Sequence, residues 1–247
     1  MKHYGIIGYP LGHSFSKQYF TEKFEREKID AQYEKYEIST IEQLNKIIQD
    51  DNLVGLNVTI PYKEQVISYL TSLEPRAAAI GAVNVIRIER HNGLISLIGD
   101  NSDVVGFMES IRPLLKAHHA QALILGTGGA SKAVYYGLTQ LGIKARFVSR
   151  KAKPGQLAYA QLTKPIMESH TVIVNASPVG TFPHNDEFPD IPYQWIGDQH
   201  LLFDLVYNPP LTRFLEKGAE QGAAIKNGFE MLEKQAIEAW NIWNKTR

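Results

Sequence analysis

Apolar and polar positions follow two rhythms along this chain, and their alternation marks out its elements. Residues 4–8 form a short apolar run that predicts a strand. Residues 17–28 then repeat at helical spacing, with Tyr19, Phe20 and Phe24 as the apolar stripe. The pattern continues with a strand over 33–38 and a helix over 41–50 that turns Leu44, Ile47 and Ile48 inward. A third strand over 55–59 runs into Pro61, which suits the first turn of a helix through residues 65–70. A short helix over 76–80 leads to a strand over 82–88. His91-Asn92-Gly93 reads as a hairpin turn into a strand over 94–98.

Near the middle, Leu123-Ile124-Leu125 ends in Gly126-Thr127-Gly128-Gly129-Ala130 and passes into a helical pattern from Ala133 to Leu138. Strand, glycine turn and helix start in that order can bring bare backbone N–H groups against a pyrophosphate. A strand over 145–148 follows at the interval of a β-α-β unit. Later strands are expected over 171–175 and 201–206, and a last helix over 229–243. Before the glycine turn, residues 102–118 read as a bridging helix, its apolar pattern reaching about Lys116.

Strand–helix alternation predicts an α/β fold in two domains and a terminal segment. These are an N-terminal α/β domain over 1–101, a dinucleotide-binding domain over 102–228, and a helix over 229–247 that returns to the first domain. The 247 residues hold no internal repeat and no low-complexity linker.

Composition narrows the function classes. Hydrophobic content is 44% and charged content 21%, the balance of an ordinary globular protein. Lysine plus arginine and aspartate plus glutamate number 26 each, so no global field argues for nucleic acid or an anionic membrane as partner. The absence of cysteine excludes disulfides, a thiolate nucleophile and thiolate metal sites. The start lacks a secretory h-region and no apolar run has the length of a membrane span, so a cytoplasmic protein is expected.

Several polar residues lie at strand ends, where open α/β sheets place ligands. Ser14 and Ser16 flank Phe15 after the first strand. Two hydroxyls at that spacing can bind a carboxylate; the alternative is a capped turn with Ser16 as N-cap. Asn57, Thr59 and Lys63 follow an apolar strand, and a cation at the predicted helix start is disfavoured there, which suits a lysine that exchanges protons. The alternative is a solvated surface lysine. Asn84 interrupts an apolar strand and needs a partner if buried. Asp103 opens a helix, where either the dipole or plain capping accounts for it.

Taken together, these pieces resemble the shikimate dehydrogenase family. They are His13-Ser14-Phe15-Ser16, Asn57-Val58-Thr59-Ile60-Pro61-Tyr62-Lys63, Gly81-Ala82-Val83-Asn84, Asn101-Ser102-Asp103-Val104-Val105-Gly106 and the glycine turn. Asn175-Ala176-Ser177-Pro178-Val179-Gly180, Asp204 to Thr212, Asn227 to Leu232 and Gln235 complete the set in order. The resemblance implies a substrate domain followed by a Rossmann-like domain, and reversible NADPH-dependent reduction of 3-dehydroshikimate to shikimate. By motif it assigns Ser14, Ser16 and Tyr207 to the substrate carboxylate, and Thr59, Asn84, Asp103 and Gln235 to the ring hydroxyls. Lys63 with Asp103 forms the implied catalytic pair. Reduction of a carbonyl leaves an alkoxide that needs a proton, and a lysine ammonium supplies it. Cofactor contact falls to Gly126, Thr127, Gly128, Gly129, Ala130, Ser149, Arg150, Lys151, Ser177, Val206, Gly228 and Met231.

After the second strand of the β-α-β unit stand Arg150 and Lys151 and no acid, which favours NADP over NAD. No metal is implied. Three departures from the family pattern stand out. Lys17, Tyr19 and Phe20 replace a proline and a His-Asn pair, Ser102 stands for threonine, and Thr127 stands for a small alanine. The competing readings are a quinate/shikimate dehydrogenase using NAD, a non-catalytic metabolite-binding paralogue, and another reductase such as a methylene-tetrahydrofolate dehydrogenase. A small-molecule substrate and a monomer or homodimer are expected.

Overall fold

The structure, a computed structural model, describes residues 1–12 and 14–245. His13, part of the first motif above, lies outside the described residues. The chain forms two compact units, one of residues 1–102 with 236–247 and the other of residues 103–235.

The first unit opens with β1 (Lys2–Gly8), α1 (Phe15–Glu27) and β2 (Ala31–Glu37). Ser14, not Ser16, caps α1, accepting from Lys17 N at 3.3 Å. A single 3₁₀ turn (Ile41–Gln43) and the short α2 (Leu44–Ile47) occupy the stretch expected as one longer helix. Then come β3 (Leu53–Val58), β4 (Ser72–Leu73), α3 (Pro75–Ile80), β5 (Val85–His91) and β6 (Leu94–Asp100). Asn92 and Gly93 both take positive φ, the conformation of a tight two-residue hairpin, and pair His91 with Leu94 as the sequence predicts.

The six strands are ordered β2-β1-β3-β5-β6-β4. β1, β2 and β3 run parallel, and β5 runs antiparallel to both β3 and β6. The segments after β1, β3 and β6 and the one before β5 therefore emerge at the same end of the sheet. One face of the sheet packs on Leu44, Tyr62, Val66 and Ala77. The other carries Tyr4, Phe20, Phe24 and Tyr33 against Ala236, Ala239, Ile242 and Trp243 from the chain's last helix. Trp243 Nε1 donates to Ile86 O at 3.1 Å, so that helix returns to the first domain as expected.

The helix predicted after Pro61 does not form. Residues 60–64 are turns, followed by a 3₁₀ helix at Gln65–Tyr69. Tertiary bonds have claimed the groups a helix needs: Lys63 O accepts from Val83 N at 2.7 Å and Ile60 O from Tyr9 N at 3.0 Å. Lys63 therefore does not stand at an α-helix N-terminus, and the dipole argument for it lapses.

The second unit begins with α4 (Asp103–Ile111), which stops short of Lys116. Pro113 explains the stop: without an N–H, its ring crowds the carbonyl four residues back, and the chain tightens into a 3₁₀ turn. There follow β7 (Gln121–Leu125), α5 (Gly129–Gln140), β8 (Lys144–Ser149), β9 (Leu157–Ala158) and α6 (Lys164–Ser169). The unit closes with β10 (Val172–Asn175), β11 (Leu201–Asp204), α7 (Arg213–Glu220), β12 (Ala224–Lys226) and α8 (Phe229–Trp243), whose residues from Ala236 on belong to the first unit. All neighbouring strands are parallel, in the order β12-β11-β10-β7-β8-β9. β10 and β11 are buried along their whole length, as central parallel strands covered on both faces must be.

Buried histidines collect at the opposite, N-terminal ends of these strands. His119 precedes β7, His170 precedes β10 and His200 precedes β11. His119 Nδ1 accepts from Lys116 N at 3.0 Å, so the neutral ring carries its proton on Nε2 and donates to Gln199 O at 3.2 Å. Burial, reinforced by neighbouring cations, lowers the basicity of His119 and His170 in the fold. The unfolded chain takes up these protons near the ordinary value of about 6.5 and the fold only at lower pH. Their contribution to stability is thus complete above about 6.5 and is lost as the pH falls through the lowered folded values. Thermal melts of wild type and His119→Gln should show the wild-type advantage shrinking from about pH 7 to about pH 5. A difference independent of pH would contradict this assignment.

Among the described residues, no helix is long and apolar enough to cross a membrane.

Candidate active site

At the shared end of the first sheet, backbone pairing brings the segments after β1, β3 and β6 together with Asn84. Thr59 N donates to Ile7 O at 3.0 Å, and Val58 N donates to Asn84 O at 2.8 Å. The Lys63–Val83 bond sets the lysine beside Asn84, which immediately precedes β5 rather than lying in the strand expected over 82–88. Asn84 is buried, with Nδ2 donating to Ser102 Oγ at 2.9 Å and Oδ1 accepting from Ser102 N at 2.7 Å. Those are the partners a buried polar side chain requires. Asn101 Nδ2 donates to Ala82 O at 2.9 Å and closes the same loop. Thr59, Lys63 and Asn84 thus share one rim, with Ser14 on the segment after β1.

Two residues that the sequence left without a role complete this half. Tyr33 and Asn57 are buried, and the Tyr33 hydroxyl donates to Asn57 Oδ1 at 2.7 Å. Arg76 binds Asp100 through Nε at 2.5 Å and Nη2 at 2.8 Å, and Asp100 Oδ1 in turn accepts from Asn101 N at 2.7 Å. This two-pronged pair anchors the strand end from which Asn101 and Ser102 hang.

In the second unit Asp103 is buried in the first turn of α4. Gly106, one turn on, is pressed against α8: a Cβ there would lie 2.5 Å from Met231 O and 3.0 Å from Gln235 N. This close approach sets buried Gln235 about one helical turn from Asp103. Met231 itself is buried in the core with Phe107, Ile124 and Phe203.

The glycine turn joins β7 to α5. Gly126 has φ +118°, and a side chain there would press on Ala176 O at 3.0 Å. Gly128 caps α5 without a side-chain cap, the first turn holds no acid, and a Cβ on Gly128 would meet nothing within 4 Å. Uncapped N–H groups facing open space at a helix start form an anion site. The turns after β7 and β10 lie at the point where the strand order reverses, the crevice in which such sheets hold dinucleotides. Ser177 stands in the turn after β10, its Oγ donating to Asn175 Oδ1 at 2.7 Å. Arg150 and Lys151 are exposed just beyond β8, with Ser149 Oγ accepting from Lys151 N at 3.3 Å. These residues fit a phosphorylated dinucleotide.

Asp204, at the end of β11, ties this rim together. Its carboxylate accepts from Thr212 Oγ1 at 2.6 Å, Asn175 Nδ2 at 2.9 Å and Val206 N at 3.0 Å. Burial pushes its pKa up to about 7 despite these donors. Gly228 N donates to Val206 O at 3.1 Å, holding the approach to α8 against the segment that carries Tyr207. Burial raises the Tyr207 phenol above its usual range, so it stays a neutral donor. Among the described residues, no group of three or more His, Asp or Glu could hold a metal ion.

Comparison with known proteins bears on this arrangement. The sequence profile of the shikimate dehydrogenase substrate binding domain matches residues 6–86. A shikimate dehydrogenase (NADP(+)) of Clostridium beijerinckii is 35% identical, with 99% of this chain and 93% of that protein aligned. One from Aquifex aeolicus is also 35% identical, over 98% of this chain and 90% of its own. The crystal structure of a Thermus thermophilus shikimate 5-dehydrogenase in complex with NADP(H) and shikimate superposes with a TM-score of 0.85 at 27% identity. It covers 99% of this chain and 94% of that one.

Proposed function

This chain belongs to the shikimate dehydrogenase family, and from that premise we propose that it reduces 3-dehydroshikimate to shikimate with NADPH, reversibly. The observation that carries the reading is the pair of rims: polar residues gathered at one sheet end of the first unit, and an uncapped glycine turn at the switch point of the second. In this reading the first unit holds the substrate and the second the dinucleotide.

Ser14, Ser16 and Tyr207 receive the substrate carboxylate, which accepts from neutral hydroxyl donors. Thr59, Asn84, Asp103 and Gln235 take the ring hydroxyls, which need acceptors as well as donors. The Gly126–Gly129 turn and α5 hold the pyrophosphate, with Ser177, Val206 and Gly228 lining the same crevice. Arg150 and Lys151 take the 2′-phosphate. When bound, NADPH supplies the hydride. Lys63, as the ammonium, delivers the proton to the developing alkoxide oxygen and stabilises its charge until then. Asp103 is its carboxylate counterpart in the catalytic pair. The protein acts in the cytoplasm on a small molecule.

Steady-state rates with shikimate and quinate, each with NADP and NAD, test the reading against its nearest rival. Shikimate with NADP should be the preferred pair. Preference for quinate with NAD would identify a quinate/shikimate dehydrogenase instead, and absence of turnover with every pair would identify a non-catalytic binder.

A further inference from the structure

Asp204 is fully buried, and the proposed reaction gives it no part. Its hydrogen bonds divide between its two oxygens. Oδ2 accepts from the Thr212 hydroxyl at 2.6 Å, at the start of α7. Oδ1 accepts from Asn175 Nδ2 at 2.9 Å and from Val206 N at 3.0 Å, so it joins the end of β10 to the turn after β11. Thr212 Oγ1 also caps α7, accepting from Leu215 N at 3.4 Å, so the Oδ2 bond supports that helix.

The Asn175 amide is buried as completely and is used to capacity. Nδ2 directs its two protons to Asp204 Oδ1 and to Val179 O, the latter at 3.3 Å. Oδ1 accepts from Ser177 N at 3.1 Å and from Ser177 Oγ at 2.7 Å. Main-chain groups decide which end is which, since the Val179 carbonyl can only accept and the Ser177 N–H can only donate. An amide oxygen cannot donate, so the Ser177 hydroxyl commits its single proton to Asn175. Its oxygen also accepts from Val179 N at 3.4 Å. Ser177 can therefore offer the crevice a lone pair but not its proton. The turn held in this way is the one that meets the glycine turn, where a Cβ on Gly126 would lie 3.0 Å from Ala176 O.

We propose that Asp204 is a positioning residue for the dinucleotide: its Oδ1, acting through Asn175, fixes the turn at residues 176–179 and aims Ser177 into the crevice as an acceptor for a ligand hydroxyl or amide proton. The inference rests on the reading of this crevice as the dinucleotide site. A dinucleotide carries such donors in its ribose hydroxyls and its carboxamide, whereas ionised phosphate oxygens only accept.

Fluorescence titration of the full chain with NADPH, with a thermal melt of each variant as the measure of folding, separates the two oxygens. Ser177→Ala removes the acceptor itself and Asn175→Ala the group that aims it. Each should raise the Kd of NADPH by roughly 2- to 12-fold, the contribution of one neutral contact. Asp204→Ala should do the same, because Val206 stays anchored through its carbonyl to Gly228 N at 3.1 Å. The Asp204→Ala/Asn175→Ala double variant should bind no more weakly than Asn175→Ala alone, since the carboxylate acts through the amide. Asp204→Asn should restore near-native affinity, its carbonyl facing Asn175 and Val206 and its amide nitrogen facing Thr212. Thr212→Val loses only the Oδ2 bond and the cap, so it should lower the melting temperature and leave the Kd of NADPH unchanged.

Losses from Asp204→Ala and Asn175→Ala that multiply in the double variant would overturn the proposal. So would folded Asn175→Ala protein that binds NADPH like wild type. Should Asp204→Ala fail to fold, Asn175→Ala and Thr212→Val still decide the matter, and equal weakening of NADPH by both overturns it. Wild-type protein that does not bind NADPH would instead remove the reading of the crevice. Native binding that is indifferent to residue 175 would remove this inference alone.

Discussion

Lys63→Ala should lower kcat by roughly 10²- to 10⁴-fold while the KM for shikimate changes little. The size follows from what a positioned proton donor supplies when charge develops on a substrate oxygen. The split between kcat and KM follows from the donor acting on the transition state, the ground-state contacts being left to the serines, Thr59 and Asn84. The loop itself should survive the change. Its form is held by main-chain bonds, Lys63 O from Val83 N at 2.7 Å, Tyr62 N to Thr59 O at 2.9 Å and Val66 N to Tyr62 O at 2.9 Å. The Tyr62 hydroxyl, donating to Ile38 O at 2.6 Å, adds an anchor that does not involve the ammonium. A variant with near-normal kcat would show that Lys63 is a surface lysine and that the proton comes from elsewhere.

Arg150→Ala should weaken NADPH by about 10- to 150-fold and leave NADH nearly untouched. A guanidinium grips a phosphate with two parallel hydrogen bonds, and Lys151 adds a second cation next to it. NADH has no 2′-phosphate to lose. Arg150 is exposed, so salt should erode the wild-type preference as well. Burial raises the Tyr159 phenol and the positive charge of Arg150 acts on it in the opposite direction. Equal losses for both cofactors, measured as Kd by fluorescence titration, would assign Arg150 to holding that corner of the fold.

What was legible in the sequence was legible for local reasons. The run Leu123-Ile124-Leu125 closing on glycines gives a buried strand and a helix start because only apolar residues suit a parallel strand covered on both faces. Asn92-Gly93 gives its hairpin because both positions tolerate positive φ. The last helix, expected over 229–243, forms there and packs Ala236, Ala239, Ile242 and Trp243 with Tyr4 and Phe20. The failures were set by distant partners. The segment after Pro61 carries a helical start signal, yet Val83 and Tyr9, far away in the chain, take the carbonyls that a helix would use. The stretch from Ile41 to Asp50 has helical periodicity but keeps only a turn and a half as helix. In the site, Asn57 was visible as a polar residue in an apolar strand. Its bond to Tyr33 was not, because nothing in a local pattern says which hydroxyl a folded chain will bring to an amide. The same holds for Asp204, whose link to Asn175 and Thr212 joins three separate segments.

The central claim is a coupling of one substrate to one cofactor, and the oxidation of NADPH on addition of 3-dehydroshikimate measures it. The purified chain should consume the two in equal amounts, form shikimate as product, and run far more slowly with NADH at the same concentration. NADPH left unconsumed beside 3-dehydroshikimate, by protein shown to be folded, would contradict the account.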